Sequence, residues 1–222
     1  ITGANGFIGG SLMRYYQNQG QDVVGVDLVG NGNDIIEGDI AQPDSISNVL
    51  QECDVIIHTA ALVSNAMQDS DMWRVNVLAT RNLIEAAKEH KVRRFVQISS
   101  VVAYGNSAEG ELDESQPVHA DGGSYVLTKL ASEHVVLGAQ ANDDIEVVIL
   151  RPGDAYGPGS RPWIIAPLEA IAKNQFMLPA KGEGFFRPIY IDDLVRGIVM
   201  AASHPDAAGE IFNISCEGYM AT

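Results

Sequence analysis

The chain opens Ile1-Thr2-Gly3-Ala4-Asn5-Gly6-Phe7-Ile8-Gly9-Gly10, and the glycines at Gly3, Gly6 and Gly9 constrain its fold more than any other feature. A helical period follows through Ile8, Leu12, Tyr15 and Tyr16 and stops at Gly20. The start therefore reads as strand, tight turn, helix. In such a turn Gly3 can take a positive φ, and Gly6 puts no Cβ in front of the helix start. Gly9 lets the helix lie close to the sheet. The unpaired N–H groups of the first helical turn, at Phe7 and Ile8, carry a partial positive charge suited to a pyrophosphate. Glycines also cluster in ordinary turns, so the context decides. Asp22-Val23-Val24-Gly25-Val26-Asp27 supplies that context. It reads as a second strand ending in a carboxylate about twenty residues beyond the loop, where a dinucleotide fold places the acceptor for a ribose 2′-hydroxyl. No Lys or Arg occurs from Leu28 to Gln42 to offset the Asp27 charge against a 2′-phosphate. The expected cofactor is NAD rather than NADP.

Short apolar runs then alternate with helical patterns. Strands are expected at 35–40, 54–58, 95–98, 145–150 and 211–214, and helices at 71–90 and 124–140. Gly30-Asn31-Gly32-Asn33 reads as a plain loop. This alternation gives an α/β fold, a Rossmann-type doubly wound parallel sheet with a small C-terminal substrate lobe. Right-handed crossovers bring the carboxyl ends of the strands to one edge. Residues 1–152 are expected to form the dinucleotide-binding domain. Residues 153–187, which include a helix at 163–174, form the lobe segment. Residues 188–222 return to the main domain and begin a further C-terminal part. Ile1-Thr2 is only the last step of a central strand, and 218–222 stop without a closing helix. The expectation is an excerpt of a longer protein.

Tyr125-Val126-Leu127-Thr128-Lys129 carries the chemistry. Residues four apart share a helix face, so the phenol and the ammonium point the same way. A free phenol, with a pKa near 10, is a poor base at neutral pH. A cation about 4 Å away contributes roughly 4 kcal/mol at an effective dielectric near 20, enough to lower that pKa by up to about three units. Ser99-Ser100 follows the strand at 95–98, at the edge where open α/β sheets place ligands. The expected step is hydride transfer between a substrate C–H and nicotinamide, with Tyr125 moving the proton.

The Gly3-x-x-Gly6-x-x-Gly9 loop, Gly38-Asp39-Ile40, His58-Thr59-Ala60-Ala61, Ser100 and Tyr125-x-x-x-Lys129 together resemble the extended short-chain dehydrogenase/reductase (NAD-dependent epimerase/dehydratase) family. That family includes sugar-nucleotide epimerases and 3β-hydroxysteroid dehydrogenases, and the likeness runs along almost the whole chain. It implies that Asp39 and Ile40 hold adenine, the Asp39 carboxylate accepting from its amino group. Helix capping is the other role open to Asp39, and Asp44 after Pro43 suits that better. It also implies that Thr59, Ala60 and Ala61 lie against the cofactor, and that Ser100 joins Tyr125 and Lys129 as the third catalytic residue by donating to the substrate oxygen. Lys129 also holds ribose hydroxyls in this reading, and Asn76 braces the active-site strand. His58 reads as a packed, hydrogen-bonded histidine, Ser99 as structural, and Tyr104 as part of the cleft wall. A homodimer pairing the helices at 71–90 and 124–140 is implied as well.

The substrate is a small molecule, and two departures from the sugar-nucleotide pattern tilt its class. Asp154, after Arg151-Pro152-Gly153, stands where those members carry an Asn donor, and a carboxylate there opposes a diphosphate. Arg187 lies one position from the Arg they carry before the Tyr190-Ile191-Asp192 run, although that shift still lets it substitute. With Tyr104, these two are the candidate substrate contacts. Trp163, Phe176, Met177, Phe185 and Phe186 either wall an apolar pocket or form the core of the lobe. A dehydrogenase or reductase of the hydroxysteroid type is favoured over a sugar-nucleotide epimerase. A cofactor-sensing module without turnover comes third, because the chain keeps both Tyr125 and Lys129. A 4,6-dehydratase is disfavoured because Ser100-Val101-Val102 contains no acid.

Composition sets the remaining bounds. With 222 residues and 46% apolar content, the chain has enough material for a core. Fourteen basic against 29 acidic residues give a charge of −15, which argues against a nucleic-acid partner. No apolar run reaches membrane-span length and no signal peptide is recognisable, so a cytoplasmic, non-membrane protein is expected. Cys53 and Cys216 are isolated and the five histidines are scattered, so no metal site is expected. Glu109, Glu111, Asp113 and Glu114 in the loop before Gly123 read as solvated.

Overall fold

Ile1-Thr2 sits at the centre of a parallel sheet. The computed structural model of the protein describes residues 1–63, 68–105, 110–141, 145–177, 185–216 and 220–221; Glu109 and residues 218–219 lie outside these. Thr2 bridges to Val26 on one side and His58 on the other, both parallel. The backbone bonds Thr2 N to Ile57 O (3.1 Å) and Val26 N to Ile1 O (2.7 Å) complete the join. After the glycine turn come α1 (Phe7–Asn18), β1 (Gly25–Asp27) and β2 (Ile35–Glu37), the last two paired in parallel. On the far side lie α2 (Ser47–Gln51), β3 (Val55–His58), α3 (Asp69–Trp73), α4 (Thr80–Glu89) and β4 (Arg94–Ile98). Then follow α5 (Ser124–Gln140) and β5 (Glu146–Pro152). Next come β6 (Asp154–Tyr156), α6 (Ala166–Ala172), β7 (Phe185–Phe186), β8 (Pro188–Tyr190), α7 (Ile191–Ser203), β9 (Ile211–Ile214) and β10 (Met220–Ala221). The sheet runs β2-β1-(1–2)-β3-β4-β5-β9. This is the doubly wound order, with its switch at the glycine turn.

Alternation along the strands divides the core between the two faces. Ile56, Phe95, Val147 and Ile149 pack toward α4 and α5, with Leu83, Ile84 and Val136. Ile57, Val96, Val148 and Leu150 pack toward α1 and α7, with Leu12, Leu194 and Ile198. The central strands β3, β4 and β5 are buried on both faces, so they read as largely apolar runs rather than alternating ones. Gly20 takes φ +64 beyond α1, with Gln21 N bonded to Tyr16 O and Gly20 N to Gln17 O. That Schellman end stops the helix where the glycine signal placed it. Arg94, fully buried, donates from Nη1 to the carbonyls of Ala201, Ala202 and His204 and so caps the end of α7.

Several expected elements differ. The helix expected at 71–90 is α3 and α4 joined through a π-helical turn, Arg74–Ala79. The third strand stops at Glu37 rather than residue 40, because the Asp39 carboxylate takes the Ala41 N–H (2.9 Å) and turns the chain. Asp44 lies in the first turn of a short 3₁₀ helix headed by Pro43 and caps nothing with its side chain. Beyond β5, the 163–174 helix begins as a π turn (Arg161–Ile165) leading into α6, and neither buries a residue. No helix among the described residues is long and apolar enough to cross a membrane.

Backbone packs closely on backbone at the glycine turn. Gly3 adopts φ +67, and a Cβ on Gly9 would lie 2.2 Å from the Gly3 carbonyl oxygen. Backbone cannot yield there as a flexible side chain would. Gly9→Ala is expected to lower stability by about 1–3 kcal/mol in urea melts, the range for forced overpacking.

Candidate active site

The carboxyl edge of the sheet gathers Gly3, Asp27, Thr59, Ser99-Ser100 and Gly153 from five neighbouring strands. Helix α1 starts after Gly6 with no side-chain cap and no acidic residue in its first turn. Its leading N–H groups, at Phe7 and Ile8, are therefore available to an anion. Asp27 faces this turn: its Oδ2 accepts from Asn5 N (2.9 Å) and its Oδ1 from Leu28 N (2.8 Å). Asn5 Nδ2 donates to Val29 O (2.7 Å), tying the glycine turn to the end of β1. Thr59 Oγ1 donates to Thr2 O (2.7 Å), and a Cβ on Gly3 would meet Ala60 Cα at 2.8 Å. Thr59 and Ala60 thus lie directly against the turn. Asp39 Oδ1 carries the Ala41 amide, and Ile40 is buried in the α4-side core. An open helix start, two glycines that exclude Cβ atoms and a carboxylate at the end of β1 fit a dinucleotide.

Tyr125, Ser100 and Lys129 come together at the same edge. The Ser100 hydroxyl accepts from Val102 N (3.3 Å) and lies near enough to the half-buried Tyr125 phenol to favour its ionised form. Lys129 is buried; its ammonium donates to Ile98 O (2.9 Å) and lies 5.9 Å from the centre of the Tyr125 ring. The electrostatics run opposite to the expected lowering of the phenol pKa. Burial pushes Tyr125 up to about 12, offset only in part by the Ser100 hydroxyl. Burial also brings Lys129 down to about 8, with the nearby Glu133 carboxylate acting the other way. Desolvation outweighs the pair's mutual field.

Beneath these residues lies a charged network that sequence reasoning missed. Glu133 and Arg151, both nearly inaccessible, form a bidentate pair: Nη2 to Oε2 at 2.7 Å and Nε to Oε1 at 3.0 Å. Ser99 Oγ donates to the same Oε1 at 2.5 Å. Arg151 Nη1 donates to the Tyr104 hydroxyl (3.0 Å), which also lies 3.0 Å from Asn213 Oδ1 and from Asp113 O. Tyr104 is 2% exposed, so it braces this network rather than forming the cleft wall or meeting a substrate. Glu114 Oε1 accepts from Asn213 N (2.6 Å), and Ser115 holds the Asp113 carboxyl below its usual range. Glu114 thus fastens the loop to β9, while the exposed Asp113 carboxylate binds Ser115 within the loop. Signals for the pair were present: Glu133 is one helical turn past Lys129, and Arg151 ends an apolar strand.

Asn76 accepts from Leu62 N (2.8 Å) and donates to Leu62 O (3.0 Å) and Thr128 Oγ1 (3.1 Å). It braces the loop after β3 and the helix α5, not the active-site strand. His58 is buried between Thr2 Oγ1 (2.7 Å) and Thr80 Oγ1 (2.9 Å), as a packed histidine. Its pKa falls to about 3, from burial first and the Lys129 charge second.

The lobe residues are more dispersed. Asp154 Oδ2 accepts from Arg187 N (3.0 Å), and burial raises its pKa, with Arg187 pulling the other way. Trp163 packs on Phe186 (ring centres 4.8 Å apart) but stays 41% exposed, and Phe176 and Met177 are exposed. The described part of this aromatic set therefore forms no closed core. The side chain of Phe185 lies outside the described residues.

A doubly wound sheet with an open glycine turn at its switch point, and a Tyr-Lys-Ser group beside it, defines a dinucleotide-binding oxidoreductase fold. The chain belongs to the NAD dependent epimerase/dehydratase family, whose model matches residues 1–215. It is an NAD-dependent enzyme of the extended short-chain dehydrogenase/reductase type. The dTDP-glucose 4,6-dehydratase of Streptomyces niveus is 29% identical over 240 residues, covering 96% of this chain and 71% of that protein. The 3 beta-hydroxysteroid dehydrogenase/Delta 5-->4-isomerase of Mycobacterium tuberculosis is 28% identical, covering 97% of this chain and 64% of that one. The solved UDP-glucuronic acid 4-epimerase from Bacillus cereus, in complex with UDP-glucuronic acid and NAD, superposes with a TM-score of 0.86 at 29% identity. That match covers 99% of this chain and 77% of the other.

The buried pair gives a direct test of what holds the site. Arg151→Met leaves the Glu133 carboxylate buried without its partner and is expected to lower stability by about 3–5 kcal/mol. The double variant Glu133→Leu/Arg151→Met should recover most of that loss in urea melts.

Proposed function

We propose that the protein transfers hydride between NAD and a secondary alcohol or ketone, with Tyr125 moving the proton. What supports this reading is the meeting of Ser100, Tyr125 and Lys129 at the carboxyl edge of the sheet, with the Lys129 ammonium 5.9 Å from the centre of the Tyr125 ring. Gly3, Gly6, Phe7 and Ile8 would hold the pyrophosphate and Asp27 the ribose. Asp39 and Ile40 would hold the adenine, and Thr59, Ala60 and Ala61 would flank the cofactor. Residues 1–152 act as the cofactor domain, and 153–187 contribute to a substrate lobe. The bound nicotinamide supplies the hydride donor or acceptor and, when oxidised, a positive charge. Ser100 donates a hydrogen bond to the substrate oxygen. Tyr125 gives its proton to that oxygen in reduction and takes it in oxidation. Lys129 orients the ribose and adds its charge beside the phenol.

Asp154 supports a non-nucleotide, hydroxysteroid-like alcohol as substrate. Its half-buried carboxylate only accepts hydrogen bonds when ionised and would oppose a diphosphate. The second reading, a sugar-nucleotide epimerase, is favoured by Arg187 beside Asp154 and by the likeness to the UDP-glucuronic acid 4-epimerase. The deciding experiment incubates the enzyme and NAD with sterols, small secondary alcohols and UDP- or dTDP-sugars, following NADH release and sugar configuration. NADH release with a sterol or simple alcohol is expected. Inversion of a nucleotide sugar, with the other alcohols untouched, would select the epimerase reading. On the substrate found, Tyr125→Phe should lower kcat by about 10²–10⁴-fold, with NAD affinity little changed. Near-normal turnover would refute the Tyr125 role.

We also infer a homodimer through the helical run of α3 and α4 together with α5, where Trp73 and Leu78 leave apolar surface exposed. Light scattering at micromolar concentration should give the dimer mass, and a monomer mass would exclude it.

A further inference from the structure

Five buried polar residues run in a chain beneath the cofactor turn. Thr2, His58, Thr80, Asn76 and Thr128 are each at most 3% exposed and come from four segments around the switch point, Asn76 and Thr80 sharing one helical run. The direction of the chain follows from proton counting. The Thr2 hydroxyl proton has His58 Nδ1 as its acceptor (2.7 Å), so Nε2 carries the ring proton and donates to Thr80 Oγ1 (2.9 Å), whose own proton goes to Asn76 O (2.9 Å). This assigns the Nε2–H tautomer to His58. Thr2 Oγ1 in turn accepts from Ala60 N (3.4 Å). At the other end, Asn76 Nδ2 donates to Thr128 Oγ1, which donates to Tyr125 O (3.1 Å).

The position of Thr2 matters because the turn has no slack. Thr2 directly precedes Gly3, where a Cβ would already meet Ala60 Cα and N at 2.8 Å. We propose that His58 is a positioning residue for the dinucleotide, fixing Thr2 so that the glycine turn and the loop at residues 59–61 keep the spacing that admits the cofactor. The histidine stays neutral over the ordinary working range, since burial holds its pKa near 3, so both of its roles persist there. The proposal rests on dinucleotide binding alone and is independent of substrate and of the role of Tyr125.

Titration calorimetry with NAD on the full chain, beside thermal melts, tests it. His58→Asn keeps an acceptor near the Nδ1 position, His58→Gln reaches only toward the Nε2 position, and His58→Leu keeps neither. The Leu and Gln variants should raise the NAD Kd by about tenfold or more, the scale of one lost buried hydrogen bond, while Asn stays within about threefold. Unchanged NAD affinity in a folded His58→Leu protein would overturn the proposal, whatever its melting temperature. Equal losses in Asn and Gln would do the same, and if the Leu variant does not fold, that comparison alone decides.

Discussion

A buried ion pair fixes helix α5 against the sheet within its apolar packing, and much of the candidate site depends on where that pair puts it. Moving a carboxylate and a guanidinium out of water costs several kcal/mol per ion unless hydrogen bonds take over nearly all of their lost hydration. Here hydrogen bonds take over much of it: Glu133 accepts from Arg151 through both oxygens and from Ser99, while Arg151 directs Nη1 to Tyr104. The pair therefore joins α5, the end of β4, the end of β5 and, through Tyr104 and Asn213, β9. Ser99 immediately precedes Ser100, and Glu133 lies two turns beyond Tyr125 on the same helix. Shifting the pair would change the distance between the two hydroxyls. An apolar contact at this place would be nearly as stabilising but non-directional.

The same logic explains why the layer below the cofactor turn is polar. Thr2, His58, Thr80, Asn76 and Thr128 occupy positions where an aliphatic core would pack well, yet each has a hydrogen-bond partner. Fully satisfied networks of this kind fix relative positions more tightly than dispersion contacts do. The π-helical turn at Arg74–Ala79 sits inside this layer and presents Asn76 to the loop after β3 and to α5 at once. π-bulges recur at functional sites for this reason: they re-aim a side chain without breaking the helix.

The parts of the fold legible in the sequence were those set by local rules. Gly3 and Gly9 were readable because a positive φ and a close backbone approach admit no other residue. Gly20 was readable because a helix end in the left-handed region favours glycine. Strand positions followed from apolar runs buried on both faces. The illegible parts depend on partners far away in the chain. Arg151 reads as a charge ending a strand, and only the fold shows Glu133, eighteen residues away, completing it. Tyr104 looked like a cleft residue because aromatic side chains after a strand end often are. Its partners at Asn213 and Asp113 could not be inferred from spacing. The lobe aromatics are a different case: Trp163, Phe176 and Met177 read as a pocket wall or a lobe core, and composition does not say what they pack against.

The phenol is the clearest case of magnitude deciding between effects. Counting only the charge of Lys129, Tyr125 should ionise more easily than a free tyrosine. That charge does not act alone, because burial penalises the phenolate as well as the ammonium. The result is a tyrosine pushed up to about 12 and a lysine brought down to about 8. Lys129 directs a hydrogen bond to the carbonyl of Ile98, so it holds the strand end and the helix face together while standing 5.9 Å from the ring. A phenol in that state is a proton donor at neutral pH. Burial therefore decides the state of the free phenol, and the lysine charge does not.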